Sequence, residues 1–139
     1  MSRRPHRVAG ALLAALLAIA LLALTPSFAV VALLRDAAAP PEIAKVLPAA
    51  KEQLHKTRGF QWPTGYYRYL TTETRTSDNL VVLHFEYRAY PFITASRAYL
   101  ASRCKPLEQI DPREMGFGWG PDSESELTYL RSRAQDPCP

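Results

Sequence analysis

From Val8 to Leu34 the chain runs for 27 residues without a charged side chain, and no other feature constrains its folding so strongly. As one helix, at roughly 1.5 Å per residue, the run would reach about 40 Å, more than the roughly 30 Å of a bilayer's hydrocarbon. Arg3, Arg4 and Arg7 precede it, and Arg35 and Asp36 end it. Arginines placed directly before an apolar run hold that end on the cytoplasmic side. The sequence therefore predicts a basic cytoplasmic N-terminus over 1–7 and a transmembrane signal-anchor helix over 8–34. A spacer follows over 35–41, then an extracytoplasmic domain over 42–139. The expected location is the cytoplasmic (inner) membrane, crossed once, with the N-terminus inside. A second reading stays open. Leu12 to Leu24 has the length of a signal-peptide core, Pro26 breaks it, and Ser27 and Ala29 form a small-x-small site. Cleavage after Ala29 would release a secreted or periplasmic domain.

Charge distribution narrows the partners. The formal net charge is +4, but Arg3, Arg4, Arg7 and Arg35 account for all of it. Residues 36–139 carry thirteen basic and thirteen acidic side chains. No basic stripe with interleaved aromatics appears, so nucleic acid is not expected as a partner. Membrane lipid and an envelope or membrane protein are. Arginine far outnumbers lysine and asparagine occurs once, a composition that suggests a GC-rich bacterial genome.

Both cysteines, Cys104 and Cys138, lie beyond the apolar run, in what would be an oxidising compartment. An even count there predicts one disulfide. The closed loop of about 35 residues is equivalent to roughly 3 to 4 kcal/mol in the chain-entropy model.

The expected fold class of the outer part is α+β, one amphipathic helix packed on an antiparallel β-meander. In "EIAKVLPAAKEQLHKTRG", Ile43, Val46, Leu47, Ala50 and Leu54 share one helical face. Pro48 either kinks that helix or opens a new one, and Gly59 is a candidate C-cap. A hairpin is predicted over about 66–90, rich in Tyr, Thr and Val. Asp78 and Asn79 are its turn candidates. A two-residue loop there sets Leu70 opposite Tyr87, Thr72 opposite Phe85 and Thr74 opposite Leu83, with Tyr69 against Arg88 and Glu73 against His84. "TASRAYLASRC" reads as a short helix, with strand as the alternative. "KPLEQIDPREMGFGWGPD" reads as an irregular loop. "SESELTYLRSRAQ" stays open. Ser123 and Glu126 have capping-box spacing, with Leu127, Leu130 and Ala134 on one helical face. Leu127 and Tyr129 also alternate well enough for a third strand, and a lone hairpin wants a further strand or a helix to be stable, which tips this segment toward strand.

Motifs for chemistry are absent. There is no G-x-S-x-G, H-E-x-x-H, P-loop or post-strand G-x-G-x-x-G. His6 precedes the apolar run and cannot join a site beyond it. His84 is expected on the polar hairpin face near Glu73 and Glu86, a pairing more typical of a surface contact than of acid–base machinery. The carboxylates Asp111, Glu114, Asp122, Glu124 and Glu126 fit no calcium-loop spacing. No cofactor, metal site or catalytic residue is expected. The pattern G-F-x-W occurs twice, in "GFQWP" and "GFGWG". Such aromatics either plug a small core or grip a partner. Phe60, Trp62, Phe117 and Trp119 are thus the candidate partner-binding residues, the last two favoured because glycines open that backbone to close approach. Two functions fit. One is a non-enzymatic, single-pass membrane protein whose outer domain binds or braces another envelope component or serves as an accessory subunit of a membrane complex. The other is a cleaved small binding or inhibitor domain stapled by its disulfide.

Overall fold

A computed structural model describes residues 10, 12–20, 35–57, 65–89 and 96–139. The chain divides into two compact units, Met1–Arg35 and Asp36–Pro139. In the first, residues 12–20 are helical, and Leu12, Leu13, Leu16, Leu17 and Ile19 are exposed. Among the described residues no helix is long and apolar enough to cross a membrane. Most of the 8–34 run, the Ala29 position, Gly59, Phe60 and Trp62 lie outside the described residues.

The second unit is α+β. Its first helix, α1 (Pro41–Thr57), buries Ile43, Leu47, Ala50 and Leu54, with Glu42 in the first turn and Lys56 in the last. Both charges suit the helix dipole. A single helix runs through Pro48, which is exposed. Proline there forfeits the amide bond to the preceding turn at a cost of about 3 kcal/mol. Burial of four apolar side chains offsets it.

Four strands follow: β1 (Gly65–Arg75), β2 (Leu80–Ala89), β3 (Ser96–Arg103) and β4 (Gly116–Trp119). They form one antiparallel sheet in chain order, so the expected meander is present. The hairpin register differs from the expected one. Thr76–Asp78 form a 3-10 turn, and Ser77 takes the positive φ of 66°, the conformation expected of Asp78 or Asn79. The loop therefore spans four residues and pairs Thr74 with Val81 and Thr72 with Leu83. A bulge between Tyr69 and Thr71 then shifts the register, setting Tyr69 opposite Phe85, Tyr67 opposite Tyr87 and Arg68 opposite Glu86.

Two further segments correct the sequence reading. "SRAYLASR" is a strand, not a short helix. It lies between β2 and β4 with Ala98, Tyr99, Leu100 and Ala101 all buried. A strand covered on both faces shows no alternation. "GFGW" is the edge strand β4 rather than loop. A Cβ at Gly118 would overlap the Tyr99 ring, which lies across it from β3. An aromatic covering a cross-strand glycine pins the register of such an edge.

The open segment is helical. α2 (Asp122–Ser132) follows a turn at Gly120, whose φ is 73°. The Ser123 hydroxyl donates to the Gly120 carbonyl instead of capping the helix. Leu127, Leu130 and Ala134 pack on Leu80, Val82, Tyr99 and Ala101, a small second core. The main core lies on the opposite sheet face, under α1, around Tyr67, Tyr69, Leu83, Phe85 and Leu100. Cys104 and Cys138 are disulfide-bonded, Cα atoms 5.5 Å apart, as expected. The bond ties the chain end to β3, where Arg103 Nη2 also donates to Asp136 O at 3.0 Å.

Candidate binding surface

The sheet face under α2 is only partly covered. Pairing across the strands arranges it in rows. Leu80, Val82 and Ala101 lie beneath the helix. The next row runs Thr71, His84, Tyr99, and the one beyond it Arg68, Glu86, Arg97. Tyr66 and Arg88 form the last described pair on this face.

Glu73 anchors α2 at the boundary between covered and open halves. Arg131 of α2 forks onto it, Nη2 at 2.9 Å and Nε at 3.1 Å. Two parallel bonds of this kind fix geometry as well as add energy. Arg75 Nε and His84 Nε2 approach the same carboxylate at 3.1 and 3.3 Å. His84 and Glu73 thus meet as expected, although they are diagonal neighbours and not opposite ones. The Arg131 guanidinium holds the Glu73 carboxyl down to about 2 against the opposing effect of burial, with help from Arg75 and His84. Glu73 and Glu124 together push the Arg131 guanidinium up. Burial pushes the Tyr99 hydroxyl up, and the Glu126 carboxylate adds to the effect.

Beyond this clamp the open half is cationic. Glu86, a buried carboxylate, receives Arg88 Nε at 3.1 Å and lies 3.9 Å from Arg68 Nη1. Arg97, its register partner on β3, is exposed and has no ion pair among the described residues. Two guanidiniums therefore approach one carboxylate, and a third arginine stands beside it on the neighbouring strand. Arg68 Nε is buried without a hydrogen-bond acceptor among the described residues. Tyr66, on the same face beside them, is 51% exposed. Between these arginines and α2 lies a cleft of about 280 Å³, lined by Leu70, Thr71, His84, Arg97, Tyr99 and Ser123.

Of the aromatics singled out from sequence, the two described ones sit elsewhere. Phe117 and Trp119 are half-buried on the α1 face of β4, packed against the main core. The Trp119 ring meets Tyr87 at 5.3 Å and Tyr67 at 6.2 Å, both edge-on. They close the end of the core. His55 packs edge-on against Tyr67 at 4.9 Å on that same side, so the sheet separates it from His84. Among the described residues no group of three His, Cys, Asp or Glu side chains could hold a metal ion.

Sequence reasoning set Glu86 near His84 but missed its grouping with Arg68, Arg88 and Arg97, and missed Arg131. The alternation of Glu86 and Arg88 on β2 was a usable signal for two of them. Arg97 depended on recognising β3, and Arg131 on recognising α2. No protein-family model matches the chain, and no curated protein or solved structure matches it.

Proposed function

We propose that this chain is a non-enzymatic, single-pass membrane protein whose extracytoplasmic domain binds an anionic component of the envelope through the open arginine half of its sheet. The observation that carries the reading is the placement of Arg68, Arg88 and Arg97 at positions neighbouring the single carboxylate Glu86 on the sheet face beyond α2. A single carboxylate leaves excess positive charge on an otherwise balanced domain, and charge complementarity selects an anionic partner. The uncharged run from Val8 to Leu34, with arginines before it, supports the anchor. Binding suits the site better than catalysis does. Ser123 Oγ is engaged with the Gly120 carbonyl, and Glu73 is committed to Arg131 and Arg75. His84 thus adjoins a carboxylate whose role is to hold α2.

The test is the intact mass of protein purified from its native membrane without reduction. The expected mass is the full chain less two hydrogens, for an uncleaved anchor and a closed disulfide. A mass beginning at Val30 would overturn the anchor and leave a released binding domain.

A further inference from the structure

We propose that the cavity between α2 and the β3–β4 pair binds a small zwitterion, a molecule with a carboxylate at one end and a protonated amine at the other. The site lies wholly within the Asp36–Pro139 unit, and none of the three arginines of the open face lines it. It begins with the pairing of Ala101 on β3 with Gly116 on β4. Two of the smallest residues thus stand opposite each other on the sheet side that α2 covers, and they leave room where larger side chains would meet the helix. Leu80 and Leu130 add apolar walls. The cavity measures about 400 Å³, within the range of small-molecule sites.

Two residues lining it carry buried polar atoms without partners. Tyr99 is 2% exposed, and its hydroxyl has no hydrogen-bond partner among the described residues. The Glu126 carboxylate of α2 is near enough to add to the upward push of burial on that hydroxyl, yet no hydrogen bond of normal geometry joins the two. Arg103 commits Nη2 to the Asp136 carbonyl, while its Nε is buried and unpartnered among the described residues. Buried donors without acceptors are costly, and a ligand acceptor in this cavity would relieve both. The charges around it are balanced. Lys105 and Glu114 already pair with each other. That leaves Arg103, with its unused donor, and Glu126, which makes no ion pair among the described residues. A simple anion would meet the Glu126 carboxylate and a simple cation would meet Arg103. A molecule carrying both charges is complementary to both.

Strand spacing sets its length. Tyr99 and Arg103 are four residues apart on one face of β3, about 13 Å along the strand. A hydrogen bond of about 3 Å at each end leaves roughly 7 Å to be spanned. An α-amino acid, with both charges on one carbon, is too short. The fitting class is an ω-amino carboxylate, whose apolar stem lies over Ala101.

The experiment titrates the isotope-labelled full chain in neutral detergent with ε-aminocaproate. Hexanoate and hexylamine serve as single-charge probes of the same chain length. Amide resonances of Ala101, Gly116 and Leu130 report the cavity, and that of Arg97 reports the arginine face. The expected result is saturable shifts at the cavity amides, with each single-charge probe weaker by about tenfold, the loss of one charge-assisted hydrogen bond. Glu126→Gln, an exposed substitution, should weaken ε-aminocaproate to the level of hexanoate. Gly116→Val should abolish the shifts at Ala101 and Leu130. A Cβ there lies 3.7 Å from the Ala101 carbonyl oxygen, an ordinary contact, so the added side chain fills the cavity without displacing the strand. Urea unfolding checks that the variant folds, and Glu126→Gln decides alone if it does not. Absence of saturable shifts at the cavity amides, or shifts confined to Arg97, overturns the inference. Equal affinity for the three probes, or undiminished binding of ε-aminocaproate to Glu126→Gln, also overturns it.

Discussion

Replacing Glu73 with Gln should loosen α2 from the sheet, and its pH dependence should reveal why. Glu73 links Arg131 of α2 to Arg75 and His84 of the hairpin. Its carboxyl lies at about 2 instead of the ordinary 4.5. That difference corresponds to about 3 kcal/mol favouring the ionised form in the fold. The side chains of Glu73 and Arg131 are 23% and 24% exposed, so solvent screening reduces the expected contribution to roughly 2 kcal/mol. A carboxyl with a depressed folded-state value stabilises fully above about 4.5 and loses that contribution as pH falls toward 2. Glu73→Gln should therefore lower the urea midpoint at pH 7 by roughly 1 to 2 M, taking a slope near the low end for small domains. Near pH 2 the variant and wild type should converge. The assay is urea unfolding of the full chain in detergent, followed by tryptophan fluorescence at pH 7, 4 and 2. Parallel losses of stability in variant and wild type between pH 5 and 2 would refute the clamp.

Other substitutions test separate parts of the fold. Gly118→Ala should cost at least about 2 kcal/mol, because the new methyl overlaps the Tyr99 ring. Adding Tyr99→Leu should recover part of that loss, read by the same urea titration. Reducing the Cys104–Cys138 bond should lower stability by about 4 kcal/mol, the value for a loop of this length. Unchanged unfolding after reduction would mean that the C-terminal segment is held by its packing alone. Arg97→Gln should leave stability within roughly 0.5 kcal/mol of wild type, as for an exposed surface change. A larger loss would show that Arg97 is structural rather than available to a ligand.

What the sequence made legible depended on which contacts decide each element. α1 was readable because Ile43, Leu47, Ala50 and Leu54 fall on one face at helical spacing, a property of the segment itself. β3 was not, because burial on both faces removes alternation, and Ala98, Leu100 and Ala101 include good helix formers. Pairing with β2 and β4 overrides that preference. Once 96–103 supplies the third strand that the hairpin needs, residues 123–134 are free to follow their helical spacing. β4 was hidden by its glycines. Gly118 accommodates the Tyr99 ring, yet glycine in a sequence reads as loop. Trp119 and Phe117 were read either as plugs of a small core or as partner-binding residues. Their alternation in β4 turns both toward the main core.

The arginine face was hidden by one residue of register, and Asp36 is where that register is held. If the pairing of Thr71 with His84 continued without a bulge, Tyr69 would meet Glu86 and Tyr67 would meet Arg88. Arg68 would then turn into the main core, where an unpaired charge costs several kcal/mol. The bulge returns Tyr67 and Tyr69 to the core and Arg68 to Glu86. The Tyr69 amide and carbonyl lie on the free edge of β1, where Asp36 and Ala37 satisfy both. Lys51 of α1 binds the same Asp36 carboxylate at 2.6 Å, so helix, bulge and incoming chain meet at one side chain. Asp36→Ala should cost roughly 1 to 2 kcal/mol, combining a lost hydrogen bond to a charged acceptor with a partly exposed ion pair. Asp36→Asn keeps an acceptor for the Tyr69 amide and should recover about half of that. Hydrogen exchange separates the two roles. The Tyr69 amide should exchange faster in Asp36→Ala and stay protected in Asp36→Asn. Equal protection in both variants would mean that the edge strand holds its bulge without the incoming chain.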